Sequence, residues 1–426
     1  MVKYSSLCHI ELVWRLSNLR FLCAYFGRRT FLFKGFSMAN TNLSKAKNVK
    51  DDECYTRYTD IQQEVNAYLE YNVDVFRGKT VLLPCDDPEW SNFTRFFAEH
   101  FESLGIKKLI STSYAFESKK EKYGSVYQLS LFESESPKFD ESKSKKHGKI
   151  FTLTHDKNKS GRIDIDDLEY EYLDGDGDFR SEEVKRLRDE ADIIVTNPPF
   201  SLFREFLAWL IESGKKFLIV GNKSCVTYKE VFPLIKENKL WAGKTEWSGG
   251  MWFHTDMENN EKNMKNVASA WFTNIEHGRR HTPIPLMTME DNLRFSKHVK
   301  IRENGYLKYD NYDAIEITYT DDISKDYGGI MGVHISFLEK YSPEQFEILG
   351  ATQRGCHDAV PDTKKYDDYW EVRQDGSKTG AKGGKTNENA NFVQNDGKNN
   401  YFINSDGHIV QSAYQRIFIR FRSENK

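Results

Sequence analysis

The sequence predicts an α/β protein whose core is a mostly parallel sheet. Short apolar runs alternate with helix-like segments until about Thr282. One run, Ile193-Ile194-Val195, is apolar throughout, as a strand buried on both faces would be. It then stops at Asn197-Pro198-Pro199-Phe200, where two prolines without N–H groups cannot extend a ladder. The chain must leave the sheet there, at the carboxyl edge, where open α/β folds place their ligands.

The elements follow in order. Ile61 to Tyr71 suits a helix, and Thr80-Val81-Leu82-Leu83 is a first buried strand. Ser91 is a good N-cap for a helix from Phe93 to Leu104. Its Phe93, Phe96, Phe97 and Phe101 recur at helical spacing, which fits a core stripe better than a base-stacking platform. Strands are expected at Lys107 to Ser111, Ile150 to Thr154 and Tyr170 to Leu173. The charged helix Glu182 to Glu190 leads into the strand Asp192 to Thr196. A helix from Phe203 to Glu212 and a strand from Phe217 to Val220 come next. Leu240-Trp241-Ala242 and Ala270 to Thr273 complete the sheet.

Composition narrows the class. A chain of 426 residues allows two or three domains. Mean hydropathy is -0.68 and no apolar run approaches membrane-spanning length, so no membrane partner is expected. The six cysteines (Cys8, Cys23, Cys54, Cys85, Cys225 and Cys356) show no CxxC pair or metal spacing. No metal is expected, and the location expected is a reduced compartment, the cytoplasm. A net charge of -3 excludes a uniformly basic nucleic-acid binder, so any DNA surface must be a local patch. Residues 1–37 carry six basic residues against one acid, Glu11. They match no targeting pattern well, and a translation start at Met38 is the expectation.

Several motifs fail on inspection. Gly78-Lys79-Thr80, Gly243-Lys244-Thr245 and Gly384-Lys385-Thr386 end like phosphate loops, but Val73, Asn238 and Thr379 stand where the first glycine belongs. Asp156 to Asp167 has oxygen ligands at calcium-loop positions 1, 3, 5 and 9 and glycine at 6, but a strand, not a helix, precedes it. A solvated hairpin turn is the simpler reading. Asp174 to Asp178 lacks even that glycine.

Asn197-Pro198-Pro199-Phe200 resembles the catalytic motif of S-adenosylmethionine-dependent methyltransferases acting on the adenine amine. Further blocks are similar to the EcoRI-type adenine modification methylases: Cys85-Asp86-Asp87-Pro88, Asp176 to Ser181, Asn197 to Phe203, Lys215 to Ile219, Tyr228 to Val231, Lys308 to Ile315 and Met331-Gly332-Val333. The resemblance runs from about Asp51 to about Gly350, and again near Tyr414. It implies a Rossmann-like methyltransferase fold, S-adenosylmethionine as methyl donor, and double-stranded DNA as substrate. It also implies a possible cognate restriction endonuclease and a monomer.

The resemblance assigns roles. The Asn197 side-chain oxygen and the Pro198 carbonyl would accept the two amine hydrogens, Pro199 would stiffen the turn, and Phe200 would stack on the base. Tyr55-Thr56, at the end of Asp52-Glu53-Cys54, would meet the methionine end of the cofactor. Cys54 stands where the family usually has Phe. Asp86-Asp87 could pair with the cofactor ammonium, or simply cap the next helix. Asp178 could accept the cofactor's adenine amine, with Phe179 packed on that ring. The usual ribose-holding acid is missing, and Ser111-Thr112-Ser113 occupies its place. Related motifs also serve RNA-adenine and protein-glutamine methyltransferases, and a catalytically silent DNA-binding relative remains an alternative.

The division expected is an N-terminal extension over 1–50, a catalytic and cofactor-binding domain over 51–282, and a target-recognition region over 283–426. That last region loses the strand–helix rhythm. It follows Arg279-Arg280-His281 and contains a Gly/Lys/Asn-rich stretch from Gln374 to Asn400. There Lys378, Lys382 and Lys385 suit either phosphate contacts or a solvated loop. The cluster Lys143, Lys145, Lys146 and Lys149 reads more simply as a solvated loop.

Overall fold

The computed structural model describes residues 55–87, 91–115, 140–255, 263–352, 360–366, 369–382, 387–394, 401–404 and 406–422. The N-terminal extension, Asp52-Glu53-Cys54, Pro88 and Lys385 lie outside the described residues. The chain from Asn48 to Lys426 forms one compact unit.

An eight-stranded sheet holds the core, in the order β5-β4-β3-β2-β6-β7-β11-β8. Its centre is β2 (Thr80–Leu83), β3 (Lys108–Ser113), β6 (Ile193–Thr196) and β7 (Lys216–Asn222). These four are parallel to one another. The margins are not. β4 (Lys149–Leu153) and β5 (Glu169–Tyr172) on one side, and β11 (Ser269–Thr273) and β8 (Trp241–Ala242) on the other, pair antiparallel. The expected mostly parallel sheet is therefore corrected to a parallel centre with antiparallel margins. Between β4 and β5 the chain makes only a 3-10 turn, Ile165–Asp167, with no crossover helix, and it returns antiparallel.

Period-two alternation covers both faces of the sheet. Leu82, Ile194 and Ile219 enter one apolar cluster, under α5 (Glu182–Glu190) and α6 (Phe203–Ser213). Val81, Leu83, Ile193, Val195 and Leu218 enter the other, under α1 (Tyr58–Tyr71) and α2 (Asn92–Glu99). The Phe93/Phe96/Phe97 stripe belongs to that second core. The single helix expected from Phe93 to Leu104 breaks at His100, and α3 resumes over Phe101–Leu104. Gly105 closes it at φ 64°, a left-handed cap that glycine takes without steric cost.

After α4 (Glu141–Lys146) and α7 (Phe232–Lys236), the remaining elements form smaller sheets. β1 (Tyr55–Thr56), β9 (Met251–His254) and β10 (Met264–Val267) form one of three strands. Beyond α8 (Met289–Phe295) and α9 (Val299–Asn304) come β12 (Ala314–Ile317), β13 (Ile330–His334) and β14 (Phe346–Ala351). β12 and β13 are parallel, so the strand–helix rhythm does not end completely at Pro283. Their Ile315, Ile317, Met331 and Val333 join the first core cluster. A five-stranded antiparallel sheet follows, made of β15 (Tyr369–Val372), β16 (Lys378–Lys382), β17 (Asn391–Gln394), β18 (Tyr401–Asn404) and β19 (Ile409–Ser412). β20 (Arg416–Phe421) returns between β13 and β14.

Candidate active site

β2 and β6 are parallel neighbours, with Val81 opposite Ile193 and Leu82 opposite Ile194. Their carboxyl ends therefore release Pro84-Cys85-Asp86 and Asn197-Pro198-Pro199-Phe200 side by side. After Asn197 the backbone turns through Pro199 (φ -53°, ψ 126°) into a short 3-10 turn, Phe200–Leu202, and then into α6. The Leu202 N–H closes that turn on the Pro199 carbonyl at 2.9 Å. The prolines leave little rotational freedom, and Asn197 and Phe200 are held part-exposed at the sheet edge.

Asp86 is the charged group beside them. It is 5 % exposed. Its Oδ1 accepts from Ser91 Oγ at 2.7 Å, and Ser91 caps α2 by accepting from Phe93 N at 3.1 Å. Thus Asp86 does support the helix start. Its Oδ2, however, is buried with no hydrogen-bond partner among the described residues, as is Thr196 Oγ1 nearby. The Thr196 hydroxyl lies near enough to steady the carboxylate without completing a hydrogen bond. Burial raises the Asp86 pKa from 3.8 to about 6, against the opposing pull of the Thr196 and Ser91 hydroxyls. An unpaired, buried acceptor is what a cationic ligand group would satisfy. Asp87 is part-exposed, and its carbonyl accepts from Ser91 N at 2.7 Å.

The serine and threonine hydroxyls at the end of β3 have a structural task. Ser111 Oγ donates to the Asp86 carbonyl, and Thr112 Oγ1 donates to the Pro84 carbonyl at 3.0 Å. They fix the turn that carries Asp86.

The Asp176-Gly177-Asp178 loop folds onto the same end of β3. The Ala115 N–H donates to the Asp176 carbonyl at 2.7 Å. Gly177 has φ 84°, and a Cβ there would collide with the Ser113 carbonyl. Asp178 is already paired: Arg180 donates Nε to Oδ1 at 2.8 Å and Nη2 to Oδ2 at 2.6 Å. A carboxylate keeps further acceptor capacity, so this does not disqualify it. Phe179 differs from expectation. It is buried in the core, edge-on to Phe206 at 5.1 Å and to Trp209 at 5.8 Å, and it does not offer an open face to a ligand. The reason is its place in the core cluster with Phe206 and Trp209 of α6, where an aromatic ring gains more from apolar contact than from exposure.

Tyr55 and Thr56 reach the site through β9. Tyr55 pairs with His254 and Thr56 with Phe253. Asn92 Nδ2, at the start of α2, donates to the Thr56 carbonyl at 2.9 Å. The Phe253 ring stands edge-on to Phe200 at 6.2 Å. β9 thus joins the Tyr55-Thr56 strand to the Asn-Pro-Pro-Phe turn. Sequence reasoning missed Phe253. The sequence carried no clear signal for it, since Met251, Trp252 and Phe253 are all apolar; only the structure leaves Trp252 45 % exposed while Met251 and Phe253 are buried.

The failed phosphate-loop tripeptide proves to bind an anion, but one of the protein's own. Glu64 is fully buried. Its Oε1 accepts from Lys244 N at 2.7 Å and its Oε2 from Thr245 N at 2.8 Å. Thr245 Oγ1 at 2.5 Å and Tyr68 OH at 3.0 Å complete the set. In the calcium-like stretch, Asp156 and Asp167 likewise accept backbone N–H groups. Among the described residues no group of three or more His, Cys, Asp or Glu side chains is placed to hold a metal. No described helix is long and apolar enough to cross a membrane. In the C-terminal sheet, Lys378 Nζ sits 3.9 Å from the Trp370 ring centroid, while the Lys382 and Lys385 side chains lie outside the described residues.

Comparison with known proteins follows the same lines. The family described as adenine-specific methyltransferase EcoRI matches residues 42–422. Type II methyltransferase M.EcoRI of Escherichia coli is 41% identical over 322 residues, spanning 73% of this chain and 89% of that protein. Type II methyltransferase M.MpnI of Mycoplasma pneumoniae is 33% identical over 320 residues, 72% of this chain and 84% of that protein. Type II methyltransferase M.MgeORF184P of Mycoplasma genitalium is 31% identical over 322 residues, 72% and 85% respectively. No solved structure matches the chain significantly.

Proposed function

The chain belongs to the EcoRI family of adenine-specific methyltransferases, and from that membership together with the site geometry we infer how it works. It is a site-specific DNA methyltransferase acting on adenine, with S-adenosylmethionine as methyl donor. The acceptor is the exocyclic N6 of an adenine flipped out of the duplex, since that nitrogen cannot reach a protein-bound methyl group from within the base stack. The observation that carries this reading is the placement of Asn197-Pro198-Pro199-Phe200 directly beside the buried, half-unpaired Asp86.

The residues divide the work. Asp86 would hold the cofactor's ammonium through Oδ2, with Asp87 beside it, and Tyr55 and Thr56 would meet the methionine end. Asp178 would accept from the cofactor's adenine amine. Phe179 supports that loop from the core. When bound, the cofactor supplies an electrophilic methyl group on a good leaving group. The Asn197 side-chain oxygen and the Pro198 carbonyl accept the hydrogens of the target amine, which frees its lone pair for attack. Pro199 keeps those two oxygens in register, and Phe200 stacks on the base. Positioning supplies most of the remaining acceleration. Cofactor binding and chemistry belong to residues 51–282, and base readout to 283–426. The enzyme acts as a cytoplasmic monomer, and a cognate restriction endonuclease shares its site without forming a stable complex.

The test is transfer of labelled methyl groups to DNA, RNA and protein, with Asn197→Ala as the control. Label is expected in DNA adenine. Asn197→Ala is expected to bind DNA and cofactor but to methylate roughly 10²–10³-fold more slowly. Label appearing in RNA or protein instead, or a near-normal rate for Asn197→Ala, would overturn the reading.

A further inference from the structure

The carboxyl edge of the eight-stranded sheet carries a second group of charged side chains away from Asn197. Asp178 and Asp86 stand toward its β3 and β2 end. At the other end β8 runs in the same direction as β7, because two antiparallel steps through β11 separate them. The registers align Thr196, Ile219, Phe272 and Ala242 in one row. Gly243-Lys244-Thr245 therefore leaves the sheet on the same edge as Asn197, three strand spacings or roughly 14 Å away.

A cavity of about 570 Å³ opens at this point, with Gln63, Tyr71, Lys244, Thr245, Arg279 and Thr282 in its lining. The Lys244 and Thr245 N–H groups are already committed to Glu64 and that of Gly243 to the Trp271 carbonyl, so this is not a nucleotide loop. The Lys244 ammonium has no ion pair among the described residues. Arg279 donates Nη1 to the Lys244 carbonyl at 2.5 Å and lies 3.7 Å from Glu339 through Nη2, which leaves other N–H donors of its fork unused. Lys223, nearer to Asn197, is different: its ammonium donates to the Trp247 carbonyl. Two carboxylates, Glu70 and Glu246, share the cavity and oppose any anion in it.

We propose that this cavity holds a backbone phosphate of the bound DNA, with Lys244 as its counter-charge and Arg279 as a second donor. The proposal rests on the DNA-methyltransferase reading and adds where the duplex is gripped. The two carboxylates make the site self-limiting. They reduce non-specific grip, because Lys244 and Arg279 must hold the phosphate against them.

The test uses the full chain and a fluorescein-labelled duplex of about 20 base pairs, whose sequence is arbitrary because a phosphate contact reads no bases. Binding is followed by anisotropy across a salt series. Lys244→Gln is expected to weaken binding and to flatten the slope of log affinity against log salt by about 0.9. Lys244→Arg restores both. Glu70→Gln combined with Glu246→Gln is expected to tighten binding. Cofactor affinity by calorimetry stays unchanged in every variant. A wild-type slope in Lys244→Gln, with circular dichroism showing an intact fold, would overturn the proposal. Absence of methyl transfer to DNA by the wild-type chain in the same preparation would instead strike the underlying reading.

Discussion

Replacing Asp86 by asparagine should make the free protein more stable and the enzyme worse. Burial raises the Asp86 pKa from 3.8 to about 6, which corresponds to a cost of about 3 kcal/mol for keeping it charged. Its folded-state pKa lies above its unfolded value, so the folded protein holds this proton more tightly. The contribution to stability is therefore fully present below about pH 4 and is lost as pH rises through about 6. Asparagine keeps the shape and removes the charge. Its amide brings a donor that Thr196 Oγ1, buried without a partner, can accept. The expected gain at pH 8 is about 1–3 kcal/mol, after allowing for an imperfect new hydrogen bond, and close to nothing at pH 4. Cofactor affinity should move the other way. Losing a charge-assisted bond of about 1.5–3 kcal/mol weakens binding by roughly 10–100-fold. In the wild type that affinity should rise with pH through about 6, as the carboxylate forms. Urea unfolding at pH 4 and 8 gives the stability difference, and calorimetric titration gives the affinity. If Asp86→Asn were less stable than wild type at pH 8, or bound the cofactor normally, the reasoning about its buried charge would be wrong.

Three further outcomes are expected. Gly177→Ala forces φ 84° on a residue with a Cβ and drives it into the Ser113 carbonyl, so it should destabilise by about 1–3 kcal/mol and weaken cofactor binding more than DNA binding, as unfolding curves and calorimetry would show. Glu64→Gln exchanges one of the acceptor oxygens of a fully buried carboxylate for an amide among its donors, and chemical denaturation should register a loss of about 2–3 kcal/mol. Phe200→Ala should leave cofactor affinity intact but weaken retention of the flipped base by about 1–3 kcal/mol, read from the fluorescence of 2-aminopurine at the target position.

The sequence disclosed those parts of the site whose chemistry has a single structural consequence. Two prolines after Ile193–Thr196 permit only an exit from the sheet, and Asn197 was placed by them alone. Ser91 caps a helix wherever one starts, and it does so here. Other features depend on partners far along the chain. Asp86 and Asp87 are alike in sequence, and only the hydroxyls of Ser91, Ser111 and Thr112 determine which is buried and which oxygen is left free. Phe179 reads like a ring that follows a ligand-binding acid, but Phe206 and Trp209 claim it for the core. Gly243-Lys244-Thr245 looks like a defective nucleotide loop until Glu64 is seen seated in it. The antiparallel margins escaped because a buried strand carries no mark of its direction.

The pairing of β1 with β9 sets an order of events during biosynthesis. Tyr55 pairs with His254 and Thr56 with Phe253, partners about 200 residues apart in the chain. A ribosome adding roughly 5–20 residues per second needs about 10–40 s to travel between them. Throughout that interval the emerging polypeptide has Tyr55 and Thr56 but no strand to seat them. The Asn-Pro-Pro-Phe turn is likewise made well before Phe253, the ring that stands edge-on to Phe200. A truncated or stalled translation product ending before β9 thus carries the Asn-Pro-Pro-Phe turn without the strand that links it to the Tyr55-Thr56 segment.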